Sequence, residues 1–394
     1  ARTSMRKTIW RLAIAGLARV FLNTAVRMGY PFAPVLSRGL GVPLTLTTSG
    51  LAVSQVAGMF GLITGPMADS WGRRRMMLVG LAMLAGGMLF GGAFPSFASV
   101  LLALFLAGLA KTFYDPALQA YVGDWVPYEQ RGRAVGLLEF SWAGSLLLGI
   151  PLIALLISRQ GWRSPFFMLS AAGLAAGVSI LMLFPRGRHP QQGVGVAVQL
   201  LQSWRLLSQE SEAPWVLVFG LLIGAANLNL FVVYGVWLEQ SFGLSIIALG
   251  TTGLVIGIAE LLGESLTALA SDRLGLKRAV VLGTVLLVLS YCLLPWSGQS
   301  LSLTLVGLFI VFVSFEFVVV TFLSLATEIL REARATMISA LIVASSLGRA
   351  IGASGGAILW QEGGLSATSS VSAATTALAL VCLVWGLRNW RAGS

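Results

Sequence analysis

The chain has 394 residues, 57% of them hydrophobic and only 10% charged, with a mean hydropathy of +0.86, and no soluble core of this length needs so much apolar side chain. The formal charge of +11 would suit nucleic acid if the basic residues shared one face, but they stand at the ends of apolar stretches, which argues against that partner. Two cysteines and one histidine leave no disulfide framework, metal-ligand cluster or histidine-based catalytic set.

A bilayer-spanning helix takes roughly 20 mostly apolar residues. In chain order the spacing predicts twelve spans: 9–32, 44–67, 76–94, 97–122, 134–157, 165–184, 214–238, 246–270, 279–296, 301–329, 335–360 and 366–385. The first is flanked by Arg2, Arg6, Lys7 and Arg11 and has no small-residue cleavage site, so it reads as a transmembrane helix rather than a signal peptide. Cys292 and Cys382 fall inside spans, and His189 lies in the central loop without ligand partners.

Orientation follows from the rule that positive loops stay cytoplasmic. Arg73, Arg74, Arg75, Arg131, Arg133, Arg186, Arg188, Arg205, Arg273, Lys277, Arg278, Arg331, Arg334, Arg388 and Arg391 occupy the termini and alternate connections, against Arg38, Arg159 and Arg163 on the other side. Both termini are therefore expected in the cytoplasm, in an inner-membrane protein that works as a monomer among lipids.

The sequence also repeats. Gly65-Pro-Met-Ala-Asp69-Ser-Trp-Gly72-Arg73-Arg74-Arg75 follows the second span, and Ala268-Leu-Ala-Ser-Asp272-Arg-Leu-Gly275-Leu-Lys277-Arg278 follows the eighth. Asp124 to Ala134, containing Glu129 and Arg131, is echoed by Glu328 to Ala335 at nearly the same offset. The predicted organisation is a six-helix bundle over 1–184, a linker over 185–213 carrying a short amphipathic helix on the membrane surface, and a second bundle over 214–394.

The loop Gly65, Asp69, Gly72, Arg73, Arg74 resembles the signature loop of the major facilitator superfamily. That resemblance, which extends to span number, duplication and central linker, implies an all-α membrane fold of two pseudo-symmetric six-helix bundles. It also implies a conformational latch that closes the cytoplasmic ends when the transporter opens outward. A tight glycine turn aims Asp69 at a helix start, where the dipole favours a carboxylate, and Arg73 can pair with Asp124. Ser70 stands where the family has a basic residue, and Ala268 and Leu276 replace Gly and Arg near Asp272, so the second latch should be weaker. Gly144-Ser-Leu-Leu-Leu-Gly149-Ile-Pro151 resembles a fifth-helix stretch of the drug:proton antiporter branch but has one residue between Gly and Pro. Ordinary helix packing or a proline kink accounts for it equally well.

Ionisable residues inside a membrane are costly and face a cavity or one another. Here they are Arg19 and Arg27 in the first span, Lys111 and Asp115 in the fourth, Glu139 in the fifth, Glu260 and Glu264 in the eighth, Glu316 in the tenth and Arg349 in the eleventh. The third, sixth, ninth and twelfth have none in their interiors, and these are the outer helices of the superfamily. Arg19, Asn23 and Arg27 share a helix face, as do Lys111 with Asp115 and Glu260 with Glu264.

Glu316, in Phe315-Glu-Phe-Val-Val-Val, has an apolar setting that favours its protonated form. With Glu139, Glu264 and Glu260 it is a candidate for proton coupling, and resemblance to proton-driven antiporters points to Glu139 and Glu316. The alternatives are static pairs of Glu139 with Lys111 or Arg27 and of Glu316 with Arg349, and Asp115 reads as structural. Arg19, Asn23, Arg27, Tyr30, Lys111, Asp115 and Arg349 are candidates for the substrate cavity. Tyr30, Phe113, Tyr114, Phe140, Trp142, Phe231, Tyr234 and Trp237 either line an apolar cavity or pack.

Two transport readings follow. One is proton-coupled export of hydrophobic or amphiphilic small molecules by alternating access. The other is movement or flipping of a lipid or other anionic amphiphile whose head group Arg19 and Arg27 hold, unless those arginines instead balance Asp115 and Glu139. A third reading, a membrane sensor or scaffold without flux, has less to support it. No Walker loop is present, so neither an enzyme nor an ATP-driven pump is expected, and no cofactor.

Overall fold

The computed structural model describes residues 2–61, 63–64, 67, 71–126, 138–185, 205, 207–329 and 334–390. Every regular element among them is helical, as expected where lipid offers no partner to backbone N–H and C=O groups. Nine of these helices are long and apolar enough to cross a membrane by themselves. The first span adds a tenth as a bent pair, Trp10–Arg27 and Gly29–Leu40, turned by 53° where Pro31 and Pro34 withhold backbone donors. The second span is present as Leu44–Gly50, Val53–Val56 and the tight turn Ala57–Phe60. The longest helix, Arg334–Gly386, has 53 residues and breaks at Gly364, with φ of 58°. At 1.5 Å per residue it would be more than twice the roughly 30 Å hydrocarbon thickness if straight, so it is two spans. Counted with the second span and the two halves of the last helix, the described residues make twelve crossings, and the first begins on the side where the last ends, called the terminal side below.

The duplication is visible in local geometry. Gly72 and Gly275 both take positive φ, 88° and 78°, immediately before Arg73–Ala93 and Leu276–Ser297, a conformation that a side chain resists. The seventh span breaks between Ala213–Phe231 and Tyr234–Phe242, which matches the bend of the first span in the other half. The fifth span widens into a π-turn over Ser145–Gly149 before Ile150–Gln160. That turn accommodates Pro151, whose ring and missing N–H disrupt a regular α-helix. A Cβ added to Gly149 would run into Thr24 of the first span, so close packing explains this glycine.

Large apolar side chains face outward on the third span (Leu89, Phe90), the sixth (Leu174, Met182), the ninth (Leu286, Leu293) and the twelfth (Leu378, Val381). These are the spans without interior charges, and lipid satisfies such surfaces. The remaining eight gather around the molecular centre. The halves meet where the first span crosses the seventh, the fifth runs beside the eighth, and the second meets the eleventh at Gly58 and Ser346.

Candidate functional site

A cavity of about 930 Å³ lies between the halves. It extends from Tyr30, Phe231 and Arg349 at mid-depth to Gln119, Leu207, Leu217 and Thr336 near the terminal side. The opposite end is shut by the bent tips of the first and seventh spans. Tyr234 and Trp237 are buried there, Phe231 stacks on Tyr234 with centroids 5.1 Å apart, and a Cβ on Gly235 would come within 2.7 Å of the Pro31 Cα. Over this plug Arg38 donates to both carboxylate oxygens of Glu239, at 3.0 and 2.7 Å.

The Arg38 side chain is 59% exposed, and solvent-exposed ion pairs contribute only about 0.2–1 kcal/mol. Arg38→Ala is therefore expected to lower stability by less than about 1 kcal/mol. A melting temperature in detergent close to that of the parent chain checks this; a large drop would make the pair a structural strut.

Two charge networks occupy the cavity wall. In the amino-terminal half Arg19 bridges Asp115 and Glu139, each at 3.0 Å, and donates to the Leu138 carbonyl at 2.9 Å. Lys111 donates to Asp115 at 2.6 Å and to the Asn23 amide oxygen at 2.7 Å, and the Asn23 amide donates to the Ser141 carbonyl. Two cations and two carboxylates thus balance. The second network joins the halves: Arg27 forks onto Glu260, with Nη1 3.1 Å from Oε2 and Nη2 on Oε1. Its guanidinium lies 4.3 Å from the Trp142 ring centroid and 5.6 Å from that of Phe231, positions at which aromatic faces attract cations.

Several sequence expectations are corrected here. Glu139 pairs with Arg19, which balances Asp115 and Glu139 as one of the readings of that arginine has it, and not with Lys111 or Arg27, because Asn23 and Asp115 hold Lys111 and Glu260 takes Arg27. Glu316 makes no ion pair with Arg349: among the described residues it has neither salt bridge nor hydrogen bond. It sits outside the cavity lining, where the tenth span packs on the eighth, since a Cβ on Gly263 would come within 2.7 Å of the Glu316 Cβ. Glu264, one turn from Glu260, is half-buried, also outside the lining and without a partner among the described residues. Asn23 is fully buried behind the wall. Of the aromatic candidates only Tyr30, Trp142 and Phe231 reach the cavity. Tyr114 is buried and donates to the Ala15 carbonyl at 2.9 Å, and Phe140 points outward, 59% exposed.

Arg349 lines the cavity, and its Nε is buried with no hydrogen-bond partner among the described residues. Gln55 and Asn227 line it as well and were missed in the sequence. The signal was the one used for the charges, a polar side chain inside an apolar span. On the terminal side Arg73 Nε lies 3.3 Å from Asp124 Oδ2, close to the turn at Gly72. Gly65, Asp69 and Arg131 lie outside the described residues, as do most of the linker and the side chain of Asp272.

Residues 15–353 match the family described as Major Facilitator Superfamily. The chain belongs to the major facilitator superfamily. It is 28% identical over 335 residues to an uncharacterized transporter of this type, YceJ of Bacillus subtilis (strain 168), covering 84% of each chain. It is 27% identical over 183 residues to multidrug resistance protein 2 of the same organism, covering 45% of this chain and 44% of that one. Among solved structures, a peptide transporter of the POT family in complex with sulfate aligns with a TM-score of 0.80 at 14% identity, over 97% of this chain and 94% of the other. A bacterial homologue of the human lysosomal transporter Spinster, inward-facing and unoccupied, aligns with a TM-score of 0.74 at 15% identity, over 96% and 95%. The structural matches establish the fold, and membership makes this superfamily member a secondary transporter.

Proposed function

We propose that the protein exports amphiphilic small molecules bearing a cationic group in exchange for protons, by rocking the two halves about the central cavity. The observation that carries this reading is Glu316: a carboxylate buried beside the cavity, without ion pair or hydrogen bond among the described residues. A buried charge of that kind is expensive, and the proton is the cheapest neutraliser. A substrate cation entering the cavity competes with that proton, which is the exchange an antiporter needs. Glu264, equally unpartnered, is the second proton site, while Glu139 and Glu260 serve mainly to hold arginines. Partial similarity to multidrug resistance proteins 1 and 2 of Bacillus subtilis supports export.

In this reading the terminal side is cytoplasmic, because it carries most of the Lys and Arg, and the cavity is open inward. Arg73 and Asp124 belong to the latch that closes this side. The alternative, a lipid or anionic amphiphile held by Arg19 and Arg27, loses support because carboxylates already hold both.

The test is accumulation of a lipophilic cationic dye in inverted vesicles with an acidic interior. Uptake is expected to collapse with an uncoupler, and Glu316→Gln to reduce it to the level of vesicles lacking the protein. Undiminished uncoupler-sensitive uptake in Glu316→Gln would overturn the assignment.

A further inference from the structure

The intramembrane cations of this chain are not equivalent. Arg19, Lys111 and Arg27 each have a carboxylate within 4 Å. Arg349 has none among the described residues, and its Nε is buried without an acceptor. Its position is fixed by packing: the Arg349 Cγ would lie 3.4 Å from a Cβ on Gly224, so the side chain runs along the seventh span with its polar end at the cavity. Glu260 is committed to Arg27, and Glu316 is not within ion-pair distance.

Two further donors stand on the same wall. The Tyr30 hydroxyl accepts from the Gln55 amide at 2.7 Å, and its other side-chain neighbour is the Ser54 hydroxyl, which an incoming oxyanion would replace. Asn227, three residues along the seventh span from Gly224, lines the cavity beside the Tyr291 hydroxyl, and among the described residues its Nδ2 makes no hydrogen bond of normal geometry. A guanidinium with a free edge beside neutral donors is a cradle for an oxyanion, since planar charge-assisted hydrogen bonds are the strongest that a side chain offers. An unmet buried donor is a standing cost that such a ligand removes.

We propose that Arg349, assisted by Tyr30, binds an anionic group of the substrate, a carboxylate or a chemically similar oxyanion. This rests on the export reading above and narrows its substrate class to zwitterionic amphiphiles. The cationic group exchanges with the proton at the carboxylates, while the oxyanion sits on Arg349 and the apolar body lies against Trp142 and Phe312. An anion alone would favour the proton on Glu316 and travel with it. A zwitterion keeps the exchange.

The test is equilibrium binding of two probes to the purified full chain: a xanthene dye with a free carboxylate, which is a zwitterion, and its methyl ester, which is a cation. The parent chain is expected to bind the free acid about tenfold or more tightly than the ester. Arg349→Gln should bring that ratio close to unity, and Arg349→Lys should keep most of it. Tyr30→Phe should reduce it in part, which keeps the proposal open to test if Arg349→Gln does not fold. A parent chain without preference for the acid, or an unchanged ratio in Arg349→Gln, would overturn the subsite. Retained acid preference with no gradient-driven dye movement would uphold the subsite and overturn only the proton-exchange reading.

Discussion

Glu260→Gln is expected to destabilise the protein by about 3–5 kcal/mol, the usual cost of removing one partner from a buried ion pair. The side chains of Arg27 and Glu260 are 4% and 3% exposed, so the guanidinium left behind has little water to turn to. It keeps only the Trp142 carbonyl, at 3.3 Å, and the flanking aromatic faces. Arg27→Leu should be comparably costly, since it strands Glu260 near the unpaired Glu316 and Glu264. The double variant, Arg27→Leu with Glu260→Leu, should be much less destabilised than either single change, because apolar replacement of both partners removes the desolvation penalty. Melting temperatures in detergent for the parent chain, Arg27→Leu, Glu260→Leu and the double variant form a double-mutant cycle. Additive effects would show that the two side chains do not depend on each other. The pair also ties the halves together at mid-membrane, so it must rearrange if they rock. The double variant, stable but lacking that tie, should therefore change transport more than folding.

How much of this was legible in the sequence depends on the distance over which each feature is set. Spans follow from local hydropathy, and the charge-free third, sixth, ninth and twelfth spans follow from counting, because lipid acts on each helix separately. The shared face of Arg19, Asn23 and Arg27 follows from helical period. Pairing does not. Arg27 meets a carboxylate 233 residues away, and nothing in either segment distinguishes Glu260 from Glu139 as its partner. Only the crossing of the first span with the fifth and eighth decides it. The same crossing leaves Arg349 without a counter-charge, although the sequence offered Glu316. Those two residues lie on successive spans, yet Glu316 turns toward Gly263 and Arg349 toward Gly224. The π-turn before Pro151 was half legible: proline announces a disturbance, but whether it becomes a kink or a widened turn depends on how closely Thr24 approaches Gly149.

Gly348→Val is expected to prevent the carboxyl-terminal half from packing, at a cost above the about 1–3 kcal/mol usual for overpacking. A Cβ at Gly348 would stand 2.7 Å from the carbonyl carbon of Leu221, one at Gly352 2.8 Å from that of Ala225, and one at Gly356 3.0 Å from that of Asn229. The three glycines are four residues apart, their three partners are four residues apart, and the offset is the same each time, as two parallel helices in register require. What the added atoms meet is backbone, which cannot rotate away as a side chain can. Helices in lipid gain little from the hydrophobic effect and associate through such close approach of small residues, so separating the seventh and eleventh spans removes the main reason for their association. Gly355, in the same segment but with nothing within 4 Å of its built Cβ, provides the control. Fluorescence-detected size exclusion should show Gly348→Val and Gly352→Val aggregated or absent and Gly355→Val eluting with the parent chain. Equal behaviour of all three would mean that this seam does not set the packing. Because the clash is already made by the Cβ, Gly348→Ala should share this packing defect, and Arg349, the next residue, should be displaced with it from the cavity wall.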